Sequence, residues 1–164
     1  MALLPSNLEG PLLALFTQSP SPTALAASQQ MAKIYANYAA TALTPTGSVV
    51  ITPASQKLLQ QTLYAAMAVP LIGLPITMAT AWGLGVGVFW LAPPVAVILG
   101  PAVGVVTVSA AATELIIPAL TLLFSVPLNT AATTAAGMAA TLDAATRTVV
   151  ATVTPPAGTL VPLF

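Results

Sequence analysis

The chain has 164 residues, a formal net charge of +0 and 4% charged side chains, against about one quarter in an ordinary soluble domain. It has no Cys and no His, so the usual thiolate and imidazole chemistry is excluded, and without a basic excess nucleic acid is a poor partner. Hydrophobic residues make up 57% of the chain, which argues against disorder and for a surface covered by lipid or by other protein.

No charged residue lies between Lys57 and Glu114. The acids Glu9, Glu114 and Asp143 are far apart and show no ligand spacing, so no enzyme, cofactor or metal site is expected. The length suits one domain. The start, Met1 to Pro5, lacks the basic region of a signal peptide.

Ser6-Asn7-Leu8-Glu9 has the form of a capping box and predicts a helix from about Asn7 to Thr17, with Leu12, Leu15 and Phe16 on one face. Ser21-Pro22 predicts the start of a second helix ending near Leu43 and carrying Leu25, Met31, Ile34, Tyr35 and Tyr38. Ser48 to Ile51 reads as a short strand. Thr52-Pro53 caps a third helix to about Ala68. Ile76 to Leu84 reads as a short helix. The β-branched and aromatic run from Val86 to Leu91, stopped by Pro93-Pro94, reads as a strand, as does Val103 to Val108. Thr113-Glu114 opens a helix through Phe124, and Asn129 caps a last helix over about 130–146. Thr148 to Thr154 reads as a strand, followed by a Pro-rich arm over 155–164 that could lie on a neighbouring subunit.

A shift of 108 residues brings Leu12, Leu15 and Phe16 onto Leu120, Leu123 and Phe124, and Ile34 onto Leu142. A looser middle copy fits between them. The expected units, about 6–51, 52–108 and 109–164, would each be helix, helix, strand and Pro-rich turn. The fold class expected is α+β, predominantly helical, with 86–91, 103–108 and 148–154 pairing in one small sheet.

Val69 to Ala92 is free of charge and as long as a membrane span. Pro70, Pro75, Gly83, Gly85 and Gly87 interrupt it, and no loop carries a Lys/Arg cluster to orient it. The Gly83-x-Gly85-x-Gly87 run has neither the Lys nor the spacing of a phosphate loop and indicates close backbone packing or strand flexibility. A membrane protein, holin-like or channel-like with spans within 69–125, would be helical through Val86–Leu91. An assembly protein would have a strand there.

Three segments carry a resemblance: Phe89-Trp90-Leu91-Ala92-Pro93-Pro94-Val95, Gly104-Val105-Val106-Thr107-Val108, and Leu142-Asp143-Ala144-Ala145-Thr146-Arg147-Thr148-Val149-Val150. Together the chain resembles small Ala/Pro-rich virion structural proteins of tailed bacteriophages. The resemblance implies a particle component of the tail, baseplate or neck, located in the virion and without activity. Its partners would be copies of itself and neighbouring virion proteins, with no small-molecule substrate. The candidate interface residues are Trp82, Phe89, Trp90, Asp143, Arg147 and Phe164. The three central aromatics are either subunit anchors or core. Asp143 and Arg147 form either an intersubunit ion pair or, preferably, a local pair at i and i+4.

Overall fold

The computed structural model describes residues 3–44, 47–68, 75–91, 96–99, 105–109, 111, 113–154 and 159–162. Their element order is α1 (Ser6–Phe16), α2 (Ala24–Ala39), β1 (Leu43–Thr44), β2 (Gly47–Val50), α3 (Pro53–Ala68), α4 (Pro75–Leu91), β3 (Ala96–Leu99), β4 (Val105–Val108), α5 (Thr113–Ser125), α6 (Ala131–Thr146), β5 (Val150–Thr154) and β6 (Thr159–Pro162). Two helices followed by two strands thus occur three times along the described chain.

Each helix packs on its neighbour in sequence, and α1 closes the circuit against α6. Inside this circuit lie Leu8, Leu12, Met31, Tyr35, Leu59, Leu63, Trp82, Phe89, Trp90, Ile116, Leu120, Met138 and Leu142, all buried. Every described side chain of the core belongs to a helix or to the residues just flanking one. The α+β class with one small sheet is therefore overturned: the packed body is all-helical. Val86–Leu91, expected as a strand, completes α4. The strands form two separate antiparallel ribbons rather than one sheet, in the orders β1-β2-β3 and β4-β5-β6. Val50 pairs with Ala96, and Val105 with Thr154. The expected arm is corrected in part, because Thr159–Pro162 folds back as β6 on β5 of the same chain. The Pro-rich turns expected at 45–46, 92–95 and 155–158 lie outside the described residues.

The reason for the largest miss is visible in α4. Gly83 and Gly87 stand one turn apart on the side facing α5, and Gly85 faces α3. A β-carbon at Gly83 would fall 2.5 Å from Ile117 Cγ1, and one at Gly85 would fall 2.7 Å from Leu59 Cδ1. The glycines let two helices approach α4 closely, a benefit that outweighs their helix cost of about 1 kcal/mol each. Buried on both flanks, α4 shows no one-sided apolar stripe, so the helical period is lost.

Local signals fared unevenly. α3 begins at Pro53, with Thr52 Oγ1 accepting from the Ser55 amide at 3.3 Å. The capping box at Ser6 does not form, because α1 starts one residue earlier on Pro5 with no side-chain cap. Thr23, not Ser21, caps α2, accepting from the Ala26 amide at 3.2 Å. Thr130 caps α6 by accepting from the Thr133 amide at 3.1 Å. Asn129 instead donates from Nδ2 to the Leu123 carbonyl at 2.6 Å, closing the end of α5.

Candidate functional site

The C-terminal ends of α2, α4 and α6 converge on one buried polar network. α6 supplies Asp143, Thr146 and, as its C-cap, Arg147. The Tyr38 hydroxyl donates to Asp143 Oδ1. Arg147 donates from Nε to Asp143 Oδ2 at 2.8 Å and from Nη2 to the Leu3 carbonyl at 2.6 Å. The guanidinium therefore ties the residues before α1 to the end of α6. Asp143 is 8% exposed, whereas the Arg147 side chain is 44% exposed. The pair is local, at i and i+4 within one chain.

A second strand of the network runs beside it. Trp90 Nε1 donates to the Tyr35 hydroxyl at 2.8 Å. The Tyr35 and Thr146 hydroxyls are 2.8 Å apart, and Thr146 Oγ1 donates to the Leu142 carbonyl at 2.7 Å. Read in order, Trp90, Tyr35 and Thr146 each have a partner with no proton left over. Phe89 meets Tyr35 edge-on with ring centroids 5.0 Å apart. Fully satisfied buried networks of this kind rigidify a core and specify its arrangement.

Burial pushes the Tyr35 hydroxyl well above the ordinary tyrosine range, opposed by its hydrogen bonds to Thr146 and Trp90. Burial raises Tyr38 as well, and its hydrogen bond to the Asp143 carboxylate adds to the shift. The unfolded chain ionises tyrosine near pH 10, whereas these two stay protonated when folded, so their contribution is intact below about pH 10 and is lost as pH rises. Above about pH 10, Tyr35 alone should remove about 1.4 kcal/mol of stability per pH unit. Denaturant titrations at stepped alkaline pH, read by circular dichroism and by tyrosinate absorbance, should show unfolding and ionisation of these two residues as one transition.

The candidate interface residues separate clearly. Trp82, Phe89 and Trp90 are each at most 1% exposed, so they are core, and their expected role as subunit anchors is corrected. Phe89 and Trp90 meet edge-on, and both contact Tyr35 of α2. Asp143 and Arg147 are committed to each other and to Tyr38 and Leu3. Phe164 lies outside the described residues.

The exposed apolar residues were missed. Leu115, Leu122 and Val126 recur along α5 and just beyond it, 44%, 71% and 46% exposed. Leu84, Val88 and Leu91 do the same on α4. Both sets follow spacings of three, four or seven, the geometry of one helix face. Ala119, Leu122 and Val126 border a shallow groove whose other wall is Gly137 and Thr141 of α6. The available signal was the excess of leucine and isoleucine in α5, more than one buried face requires.

At the opposite end of the helices lies a cavity of about 180 Å³. Met31, Met78, Met138, Phe16, Phe124 and Trp82 line it, with Thr134 at one side. Trp82 Nε1 is buried and has no hydrogen-bond partner among the described residues. An unsatisfied buried donor costs about 1–3 kcal/mol. Among the described residues, no three His, Cys, Asp or Glu side chains gather into a possible metal site. No protein-family model, curated protein or solved structure matches this chain.

Proposed function

We propose that the protein is a non-enzymatic structural component that works by apolar association with other protein chains, in the manner of the phage virion proteins its sequence resembles. The observation that carries this reading is the exposed apolar stripe on α5 at Leu115, Leu122 and Val126, next to a helix, α4, that bears no charge and exposes Leu84, Val88 and Leu91. Single exposed leucines are ordinary on a protein surface, whereas ordered rows of them mark contact surfaces. Copies of itself and neighbouring virion proteins are the partners that fit, and a tail, baseplate or neck is the setting. The three-fold recurrence of element order supports a chain built of related units, each too small to close its own core.

A specific observation also speaks to the membrane reading. Helix through Val86–Leu91 is what that reading expected. However, Val86, Phe89 and Trp90 point into the helical body. The 17 residues of α4 span about 25 Å, short of a hydrocarbon core of about 30 Å. No helix among the described residues is long and apolar enough to cross a membrane.

Flotation separates the two readings at neutral pH, where the tyrosine network is intact. Protein expressed alone and mixed with phospholipid vesicles should stay at the bottom of a density gradient and sediment as a defined oligomer. Comigration with the vesicles in high salt would overturn the assembly reading.

A further inference from the structure

We infer that the groove between α5 and α6 is the contact face of a two-fold dimer of this chain. The two α5 helices run antiparallel with Leu122 at the axis, and Leu128 of each copy fills the other's groove. The inference rests on the assembly reading, with a second copy as the partner. The fold itself does not require the apolar face. Ile116 and Leu120 are buried in α5 as Leu8 and Leu12 are in α1, at the shift of 108 residues. On the outer side the two units part: Leu115, Leu122 and Val126 stand where the first has Asn7, Ala14 and Gln18.

The groove and a matching projection lie side by side. The groove holds about 300 Å³. Gly137 opens it, since a β-carbon there would fall 2.8 Å from Leu123 Cδ1. Its two polar side chains already donate within the chain, Thr141 Oγ1 to the Gly137 carbonyl at 2.9 Å and Asn129 Nδ2 to the Leu123 carbonyl at 2.6 Å. An apolar side chain is therefore the guest it suits. Leu128, between α5 and α6, is 90% exposed, the most of any large hydrophobic residue among those described. Two-fold contacts are reciprocal, so one projection beside one groove on each copy makes two matched sites.

Charge selects the partner and the direction. Glu114 is the one charged side chain of α4 and α5. Parallel α5 helices would set the two Glu114 carboxylates side by side. Antiparallel ones carry each toward the N-terminal, positive end of the other copy's α6. Packing on the α2–α3 side of a neighbour would instead bury the exposed Lys33 or Lys57 against leucine with no counter-charge. Area sets the strength. The 13 residues of α5 span about 20 Å, and with the flanks of α4 and α6 the face is about 25 Å across, or about 500 Å² per copy. That lies near the lower end of specific interfaces, about 600 Å² per partner, so the dimer is weak and concentration-dependent.

The chain has no Cys, so single cysteines report its contacts cleanly. The test uses the whole protein at micromolar concentration under mild oxidation. Leu122→Cys should form a disulfide dimer at least about tenfold faster than Leu128→Cys, because only thiols near the axis meet at high effective concentration. Exposure alone predicts the reverse order, since Leu128 is 90% and Leu122 71% exposed. Leu128→Cys mixed with Thr141→Cys should give the mixed dimer, with circular dichroism of each variant matching the wild type. Equal or reversed rates at 122 and 128, or no mixed dimer, would overturn the inference. If the wild type then still sediments as an oligomer, the assembly reading stands without it. A monomeric wild type removes both.

Discussion

Asp143→Ala is expected to lower the free energy of unfolding by about 2–3 kcal/mol. The carboxylate accepts from Tyr38 and twice from Arg147, so the change strips partners from three donors at once. Tyr38 suffers most, because the residue is 1% exposed and its hydroxyl donates to Asp143. A buried hydroxyl left unpaired costs about 1–3 kcal/mol, and a lost charge-assisted bond adds about 1.5–3 kcal/mol. Two effects oppose this. Alanine is the better helix former by up to about 0.7 kcal/mol, and removing an acid from the last turn of α6 relieves its dipole by about 0.3–1 kcal/mol. The net remains strongly destabilising. Asp143→Asn, which keeps an acceptor for Tyr38, should lose roughly half as much. Urea denaturation with an unchanged slope would measure both. A loss for Asp143→Ala within about 0.5 kcal/mol of zero would show that the network does not hold the helix ends together.

The ion pair was legible in the sequence and its deeper role was not. Asp143 and Arg147 at i and i+4 on a helix need no tertiary information. Tyr38 and the Leu3 carbonyl join them from 105 and 144 residues away, a separation that no periodicity reports. The helices with one buried face match the sequence closely: Thr52-Pro53 marks the start of α3, and the helix expected over about 130–146 is α6, Ala131–Thr146. α4 was cut in two because glycines at 83, 85 and 87 and the run Val86–Leu91 imitate a strand. In space, those glycines are sites of helix contact, and the aromatics that follow are enclosed by α2 and the neighbours of α4. The strands near 48–51, 103–108 and 148–154 lie within a few residues of those expected, and β4 pairs with β5, but the third strand beside them is β6 and not 86–91, which is helix. Pairing depends on where the helices bring their ends, and the reading that placed 86–91 in a sheet had already misplaced one helix.

Leu122→Glu carries the second large effect, on association rather than folding. Leu122 is 71% exposed in the single chain, so a carboxylate there stays in water and should alter stability by no more than about 0.5 kcal/mol. In a contact built on the α5 stripe, the same carboxylate would be desolvated without a partner. Burial of an unpaired charge costs several kcal/mol, so association should weaken by about a hundredfold or more. Leu115→Glu, one heptad away on the same stripe, should act in the same direction.

The most direct measurement is sedimentation velocity of the wild-type chain and of Leu122→Glu over a concentration series at neutral pH, with circular dichroism as the check on folding. Association through the apolar stripe predicts a concentration-dependent oligomer for the wild type and a folded monomer for the variant. A wild type that remains monomeric throughout, or a variant that associates as strongly as the wild type, would contradict it.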